Sequence, residues 1–478
     1  MLHLPILRAG EPYRSLDTTV LHHVSTGEPV ARVSQANRGL IAKDLLAAAD
    51  HRRALEQFSA ADLLAICARA APLFAEADLP VDAIDGVTQS PESYRSHLSA
   101  TTGMPLALCR SNMEKIRHVL AEMETVLGGL TRGLDLSVLD AGWTRQGGRS
   151  ICYIGEAETL GVVLPSNSPG VHSLWLPSIA LKVPLALKPG SQEPWTPMRA
   201  AQALIAAGCP PEAFGFYPTD YSGSTEILLR CDRSMLFGDE STVRPWRSDP
   251  RVQPHGPGWS KLLWGADTVG EWERHLDLMV TSIAENGGRS CINASGVWLP
   301  ANGREVAGAL AERLAAIEPL PLDDPEARIA AFSKPQVAHS ISELIDRQLD
   351  LPGAEDLTAP LRSGDRVVEI EGCTFLRPTL IWCEDPEHPL AASEFLFPFA
   401  AVVQVPQEEM LRRIGPTLVA TVLTEDETFQ AELMRERNID RLNLGPIPTC
   451  RLAWDQPHEG NLFEHLYRQR AFQGASVG

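Results

Sequence analysis

"GVVLPSNSPGVHSLWLPSIALKVPLALKPG" occupies residues 161–190. Its opening run, Gly161–Leu164, is short, continuous and apolar, which predicts a strand buried on both faces. The loop that follows is set between two prolines, Pro165 and Pro169, with Asn167 midway. Apolar residues at helical spacing predict a helix over Leu174–Lys182. Leu185–Lys188 then repeats the buried-strand pattern and stops at Pro189-Gly190. Two buried strands joined by a helical crossover are the unit of a parallel sheet.

The alternation extends outward. Pro197–Ala207 reads as helix, "AFGFYPT" (213–219) as strand, Thr225–Arg230 as helix and "SMLFGD" (234–239) as strand. Together these predict an α/β domain of the Rossmann, nucleotide-binding type. Upstream, residues 41–75 and 105–130 carry Ala, Leu and Glu at helical spacing and predict amphipathic helices. Downstream, Trp272, Leu276, Met279, Val280 and Ile283 share one helical face, and Gly287-Gly288 ends that helix. Strand and helix signals continue to about residue 440. The tail from Trp454 lacks a deep apolar face and is expected to cover a neighbouring domain or subunit.

With 478 residues the chain is too long for one simple core, so more than one domain is expected. The expected division is 1–262, with arm strands near 144–156, then 263–450, then a C-terminal tail or arm over 451–478. A formal net charge of −19 opposes nonspecific binding to nucleic acid or to an anionic membrane. No run of about 18 apolar residues predicts a membrane span. The first residues lack the apolar core of a secretory leader. The nine cysteines are odd in number and scattered, with no C-x-x-C pair. They suggest neither a disulfide framework nor a metal site, and a reducing, cytoplasmic compartment is expected.

One cysteine stands apart. In "ENGGRSCINASG" (285–296), Cys291 follows two glycines and a polar run. The order of this segment, the Asn167 loop, the "FGDEST" turn and "SEFLFPFAAVV" (393–403) resembles the aldehyde dehydrogenase superfamily, from about Gly161 to the C-terminus. The resemblance implies that Cys291 is the nucleophile and that Asn167 donates a hydrogen bond to the oxyanion. It implies NAD or NADP as cofactor, bound by Lys188, Gly238, Ser241 and Glu394. Ser191 stands where many NAD-preferring relatives carry a ribose-binding Glu, with Glu193 two residues further on, so NAD and NADP both remain open. The "FGDEST" turn departs from the family by placing Asp239–Glu240 near the expected pyrophosphate. Leu396 and Phe397 replace the usual aromatic and glycine after the Glu. Arg289 is a candidate for lowering the thiol pKa.

The hydrolytic members carry a Glu some thirty-odd residues before the Cys. Here "VQPHGPGWSKLLWGAD" (252–267) has no Glu or Asp between Val252 and Ala266. That resembles the coenzyme A-acylating aldehyde dehydrogenases and acyl-CoA reductases. Coenzyme A is therefore the expected co-substrate, and an aldehyde or acyl thioester the expected ligand. His255 is the one candidate base in this stretch. Two alternatives stay open: a hydrolytic enzyme that releases a carboxylic acid, and a non-catalytic relative acting as a binding subunit. No metal is expected. The family's architecture implies a small β oligomerisation arm, supplied by "GRSICYIGEAE" (148–158) with the tail, and a homodimer or homotetramer.

Overall fold

The computed structural model describes residues 1–473. Two seven-stranded sheets organise the chain, and the loop 256–259 joins them. The first sheet runs, in space, Val252–His255, Arg233–Phe237, Leu160–Val163, Leu185–Lys188, Phe214–Phe216, Ile6–Arg8 and Glu11–Tyr13. Its first five strands are parallel. The two N-terminal strands extend the edge antiparallel. Strand order reverses at Leu160–Val163, so successive crossovers leave it in opposite directions. Such a switch point opens a crevice beyond the carboxyl ends of the strands, where sheets of this kind bind ligands.

One face of this sheet packs on the N-terminal helices in a single apolar core. Helix Ala60–Glu76 begins with a Ser59–Asp62 capping box and buries Leu63, Ile66, Cys67, Ala70 and Phe74. Arg199 lies in the same core. Its guanidinium donates to the carbonyls of Phe74, Ala77 and Gln89 at 2.8, 2.7 and 2.9 Å, so a buried charge is matched to helix-end and loop acceptors.

The second sheet runs Ala354–Asp356, Thr379–Cys383, Phe399–Gln404, Ala294–Leu299, Ser260–Trp264, Thr417–Leu423 and Ile439–Leu444. All pairs are parallel except the one that holds Ala354–Asp356. Apolar clusters cover both of its faces. A third, small sheet pairs the hairpin Trp143–Gln146 and Arg149–Gly155 with Tyr467–Arg470. These are the segments expected from the sequence to form a small β arm, and they pair with one another. No single helix among the described residues is long and apolar enough to cross a membrane.

Two expectations need correction. The helix foreseen over Leu174–Lys182 is a 3-10 turn, Pro169–Leu174, followed by one helical turn, Pro177–Ala180. Pro177 has no N–H to donate and breaks the ladder between them. The tail, expected to lack a deep apolar face, has one. Asn461 caps a short helix, Leu462–Leu466, that buries Leu462, Phe463 and Leu466 in the N-terminal core. The Tyr467 hydroxyl then donates to the Leu181 carbonyl at 2.7 Å. Residues 474–478 of the expected tail lie outside the described part.

Candidate active site

Seven of the nine cysteines are buried; Cys291 and Cys450 are half-exposed. Cys291 lies between helix Leu276–Ala284 and the buried strand Ala294–Leu299. The chain turns there through Asn286, Gly287 and Gly288, with φ of 54, 68 and 67°. Three successive left-handed residues explain the Asn-Gly-Gly sequence, because few other side chains tolerate that region. Asn286 accepts from Asn112 Nδ2 at 2.7 Å and donates to the hydroxyls of Ser168 and Ser290. Asn293 donates to the carbonyls of Ser282 and Glu285 and accepts the Ser290 N–H at 2.9 Å. Ser260 Oγ donates to the Cys291 carbonyl at 2.9 Å. The thiol-bearing turn is therefore held from its helix, its own strand and the neighbouring strand.

A cavity of about 510 Å³ opens at the switch point. It lies between the carboxyl ends of the first sheet and the amino ends of second-sheet strands. It brings together Asn167, Gly238, His255, Cys291 and Glu394. Lys188, Ser191 and Ser241 are outside its lining. Val171, Leu174, Ile292, Phe332, Val337 and Leu452 give it largely apolar walls, and Leu396 stands exposed beside it.

Burial pushes the Cys291 thiol well above its ordinary range, and the carboxylates of Glu459 and Glu394 push it the same way. The peptide N–H groups of Cys291 and Ile292 act in the opposite sense without offsetting this. Arg289 does not lower the thiol pKa as expected. Its guanidinium, 6% exposed, donates to the carbonyls of Thr102 and Ala331 and lies over the Phe332 ring. The amide of Asn167 donates to the Arg289 carbonyl at 2.7 Å. A primary amide has two protons, so one remains for a ligand.

Glu394 accepts the N–H groups of Gly258 and Trp259 at 3.1 and 2.5 Å. Burial pushes its carboxyl up to about 7 against those two amides. Lys261, buried on the strand after the loop, is pushed down to about 7, also by burial, and the Glu394 carboxylate only partly opposes this. Gly258 has a second role. A Cβ there would lie 1.9 Å from the Cys291 carbonyl oxygen, so the loop meets the thiol-bearing turn backbone to backbone.

The expected cofactor residues are less uniform. Lys188 ends its strand at the crevice, and burial holds its ammonium below the ordinary lysine range. Glu193 cannot replace a carboxylate at Ser191. It is sealed in the core, accepting from Thr196 N–H and Oγ and paired with His172 Nε2 at 2.8 Å. Asp239 caps the turn after Arg233–Phe237, accepting from Thr242 N–H at 2.8 Å and Ser241 Oγ at 2.7 Å. Those bonds, Ser241's first, hold its carboxyl below the usual range. The Ser241 hydroxyl, expected to face a pyrophosphate, is therefore directed to Asp239.

Sequence reasoning missed two cavity residues, His458 and Glu459. Glu459 Oε2 lies 2.6 Å from Nδ1 of His255. His255 is 4% exposed, stacks on Phe237 at 4.3 Å, and its Nε2 has no partner among the described residues. Arg441 donates to Nδ1 of His458 at 3.0 Å, and burial followed by that charge pushes His458 down to about 3. The available signal was the "PHEG" turn, 457–460, where two titratable residues sit between Pro and Gly.

No protein-family model matches the sequence, and no curated protein matches it. Solved structures do match in shape. The aldehyde dehydrogenase KauB from Pseudomonas aeruginosa superposes with a TM-score of 0.80 at 16% identity, over 99% of this chain and 96% of that one. An indole-3-acetaldehyde dehydrogenase in complex with NAD+ gives 0.78 at 16%, over 98% and 96%. An NAD-dependent aldehyde dehydrogenase from Sinorhizobium meliloti gives 0.75 at 16%, over 100% and 96%. At such identities the likeness establishes architecture: over nearly its whole length, this chain has the fold of the aldehyde dehydrogenases.

Proposed function

We propose that this chain is an NAD(P)-dependent oxidoreductase that interconverts an aldehyde and an acyl group through Cys291. The observation that carries the reading is one cavity, at the switch point, lined by a half-exposed thiol and the Asn167 amide. The sulfur attacks the aldehyde carbon, an S–C bond forms, and Asn167 donates to the oxygen that gains charge. Collapse of that adduct with loss of hydride leaves a thioester on Cys291. NAD or NADP supplies the hydride acceptor, or the donor in the reverse direction.

The residues present fit a dinucleotide. Gly238 lines the cavity without a side chain, Lys188 ends the strand Leu185–Lys188 and Ser191 follows it, and Glu394 offers a carboxylate in the cavity that Cys291 also lines. These would hold it, while Ser241 is turned to Asp239. A neighbour of the same fold was solved with NAD+. Asp239 works against the pyrophosphate by charge. Asp239→Ser keeps a capping oxygen and removes that charge. It should tighten NADH or NADPH binding on the order of fivefold, as one partly screened charge contact implies. Fluorescence titration measures this, and unchanged binding would show that Asp239 faces away from the phosphates.

Coenzyme A is the proposed acyl acceptor, because the loop 256–259 offers no carboxylate to activate water. Hydrolysis is the second reading, favoured by the His255 imidazole in the cavity. A panel of straight-chain and aromatic aldehydes, assayed with NAD+ and NADP+ with and without coenzyme A, separates them. The expected result is cofactor reduction that depends on coenzyme A and yields an acyl thioester. Free acid formed at the same rate without coenzyme A would select hydrolysis. Failure to bind NADH and NADPH would remove the oxidoreductase reading and leave a binding subunit.

The Gly258 contact gives a sharper test of geometry. Gly258→Ala must displace the Cys291 turn and should lower turnover about 10²-fold, the cost of an ångström-scale misplacement. Gly308→Ala, at a helical position with open space, is the control and should leave turnover unchanged. Equal rates for both variants would show that the close approach is not needed for activity. For assembly we propose a homodimer or homotetramer through the three-stranded arm, which light scattering checks.

A further inference from the structure

We infer that His255, oriented by Glu459, is the base that takes the proton of whatever group attacks the acyl thioester. The inference rests on the reading of Cys291 as the acyl-carrying thiol. Three observations carry it. His255 and Cys291 line one cavity. The Glu459 carboxylate lies 2.6 Å from His255 Nδ1. His255 Nε2 is buried in that setting with no partner among the described residues.

The tautomer follows from the partner. A carboxylate accepts, so Nδ1 carries the proton and Nε2 keeps its lone pair. Stacking on Phe237, its register neighbour on the adjacent strand, fixes the ring plane. Gln253 Nε2 donates to the Glu459 carbonyl at 2.6 Å, which ties the C-terminal segment to the His255 strand. A nucleophile, a base and a group that orients the base are the parts of a general-base site. The other imidazole in the lining, His458, is a poor substitute, because burial and Arg441 oppose its charged form. The carboxylate absent from the loop 252–266 is thus replaced by a pair, one half of which arrives from the far end of the chain.

The proton inventory closes. Water or a thiol forms a bond from O or S to the thioester carbon while its proton passes to Nε2. The bond from that carbon to Cys291 Sγ then breaks, and the departing sulfur takes the proton back. Products are the free Cys291 thiol and either a carboxylic acid, when water attacks, or a new thioester, when a thiol does, and nothing is oxidised or reduced. Glu459 touches neither reactant and is a positioning residue.

The test follows discharge of a preformed acyl-enzyme. Full-length protein is acetylated to completion with p-nitrophenyl acetate, excess ester is removed, and loss of the acetyl adduct is followed by intact mass, with and without coenzyme A. His255→Gln is expected to slow discharge roughly 10²- to 10⁴-fold, the usual contribution of a positioned base. Added imidazole should restore much of the rate in His255→Ala, which a merely structural histidine would not permit. Glu459→Gln should slow discharge on the order of tenfold or more by releasing the tautomer. Discharge by water alone identifies water as acceptor; discharge only with coenzyme A identifies the thiol, and His255→Gln must slow whichever operates. Discharge of His255→Gln at the wild-type rate would overturn the inference, as would a slow His255→Ala that imidazole leaves unchanged. An adduct that forms equally on Cys291→Ala would overturn the nucleophile reading instead, so the two failures are distinguishable.

Discussion

Cys291→Ala is expected to abolish aldehyde-dependent reduction of NAD(P), by on the order of 10⁴-fold or more, with cofactor binding retained. The size of the effect follows from position. Seven of the nine thiols are buried, and burial pushes several of them, such as Cys67, up to about 12. Cys450 is half-exposed, but its Sγ faces the Thr281 carbonyl at 3.8 Å and it is absent from the cavity lining. Cys450→Ala should therefore leave turnover unchanged and serves as the control. The raised Cys291 pKa adds a pH signature. The thiol is mostly protonated near neutrality, so its alkylation by iodoacetamide should be slow at pH 7 and rise with pH. Residual turnover above a tenth of wild type in Cys291→Ala would rule out a thioester on this residue. Fast alkylation at pH 7 would mean that the resting site holds a thiolate despite its burial.

Much of the sheet order was legible because buried parallel strands leave a plain signature. Gly161–Leu164, Leu185–Lys188 and "SMLFGD" are short apolar runs bounded by Pro or Gly, and all three are strands of one sheet. The N-terminal strands were not legible. Ile6–Arg8 and Glu11–Tyr13 have three residues each, and Pro12 sits in the second, where only an edge strand accepts it. The tail was misread because its helix is only five residues long, so three buried side chains carried the entire apolar signal. Of the expected site residues, Asn167, Gly238, Cys291 and Glu394, each read from a local motif, line one cavity. Glu459 has none. It meets His255 across 204 positions of sequence, and nothing near either residue announces the other. His255 was legible as the one candidate base in 252–266, but the carboxylate beside it lay in a segment read as cover. Ser241 failed differently: its type and place match the expected turn, but the adjacent Asp239 captures its hydroxyl.

Asn167→Ala should lower turnover by about 10²- to 10³-fold, the measured scale for loss of one oxyanion donor. Preorganisation is the reason to expect the full effect. The Asn167 amide is already fixed by its bond to the Arg289 carbonyl, two residues from Cys291, so little rotational freedom remains to be lost in the transition state. Arg289 is in turn immobilised by the carbonyls of Thr102 and Ala331. The donor and the nucleophile are thus referenced to the same piece of backbone. Because charge develops on the oxygen only as the sulfur attacks, the loss should fall on kcat, with KM for the aldehyde nearly constant. Asn167→Asp should be worse than alanine, since a carboxylate near the developing oxyanion repels it. A purely structural asparagine predicts another pattern: a lower melting temperature, a similar loss in both variants, and KM rising with the fall in kcat. Steady-state kinetics of the two variants, with melting curves alongside, decide between these. A kcat within fivefold of wild type in Asn167→Ala would reduce Asn167 to a pin for the Arg289 carbonyl.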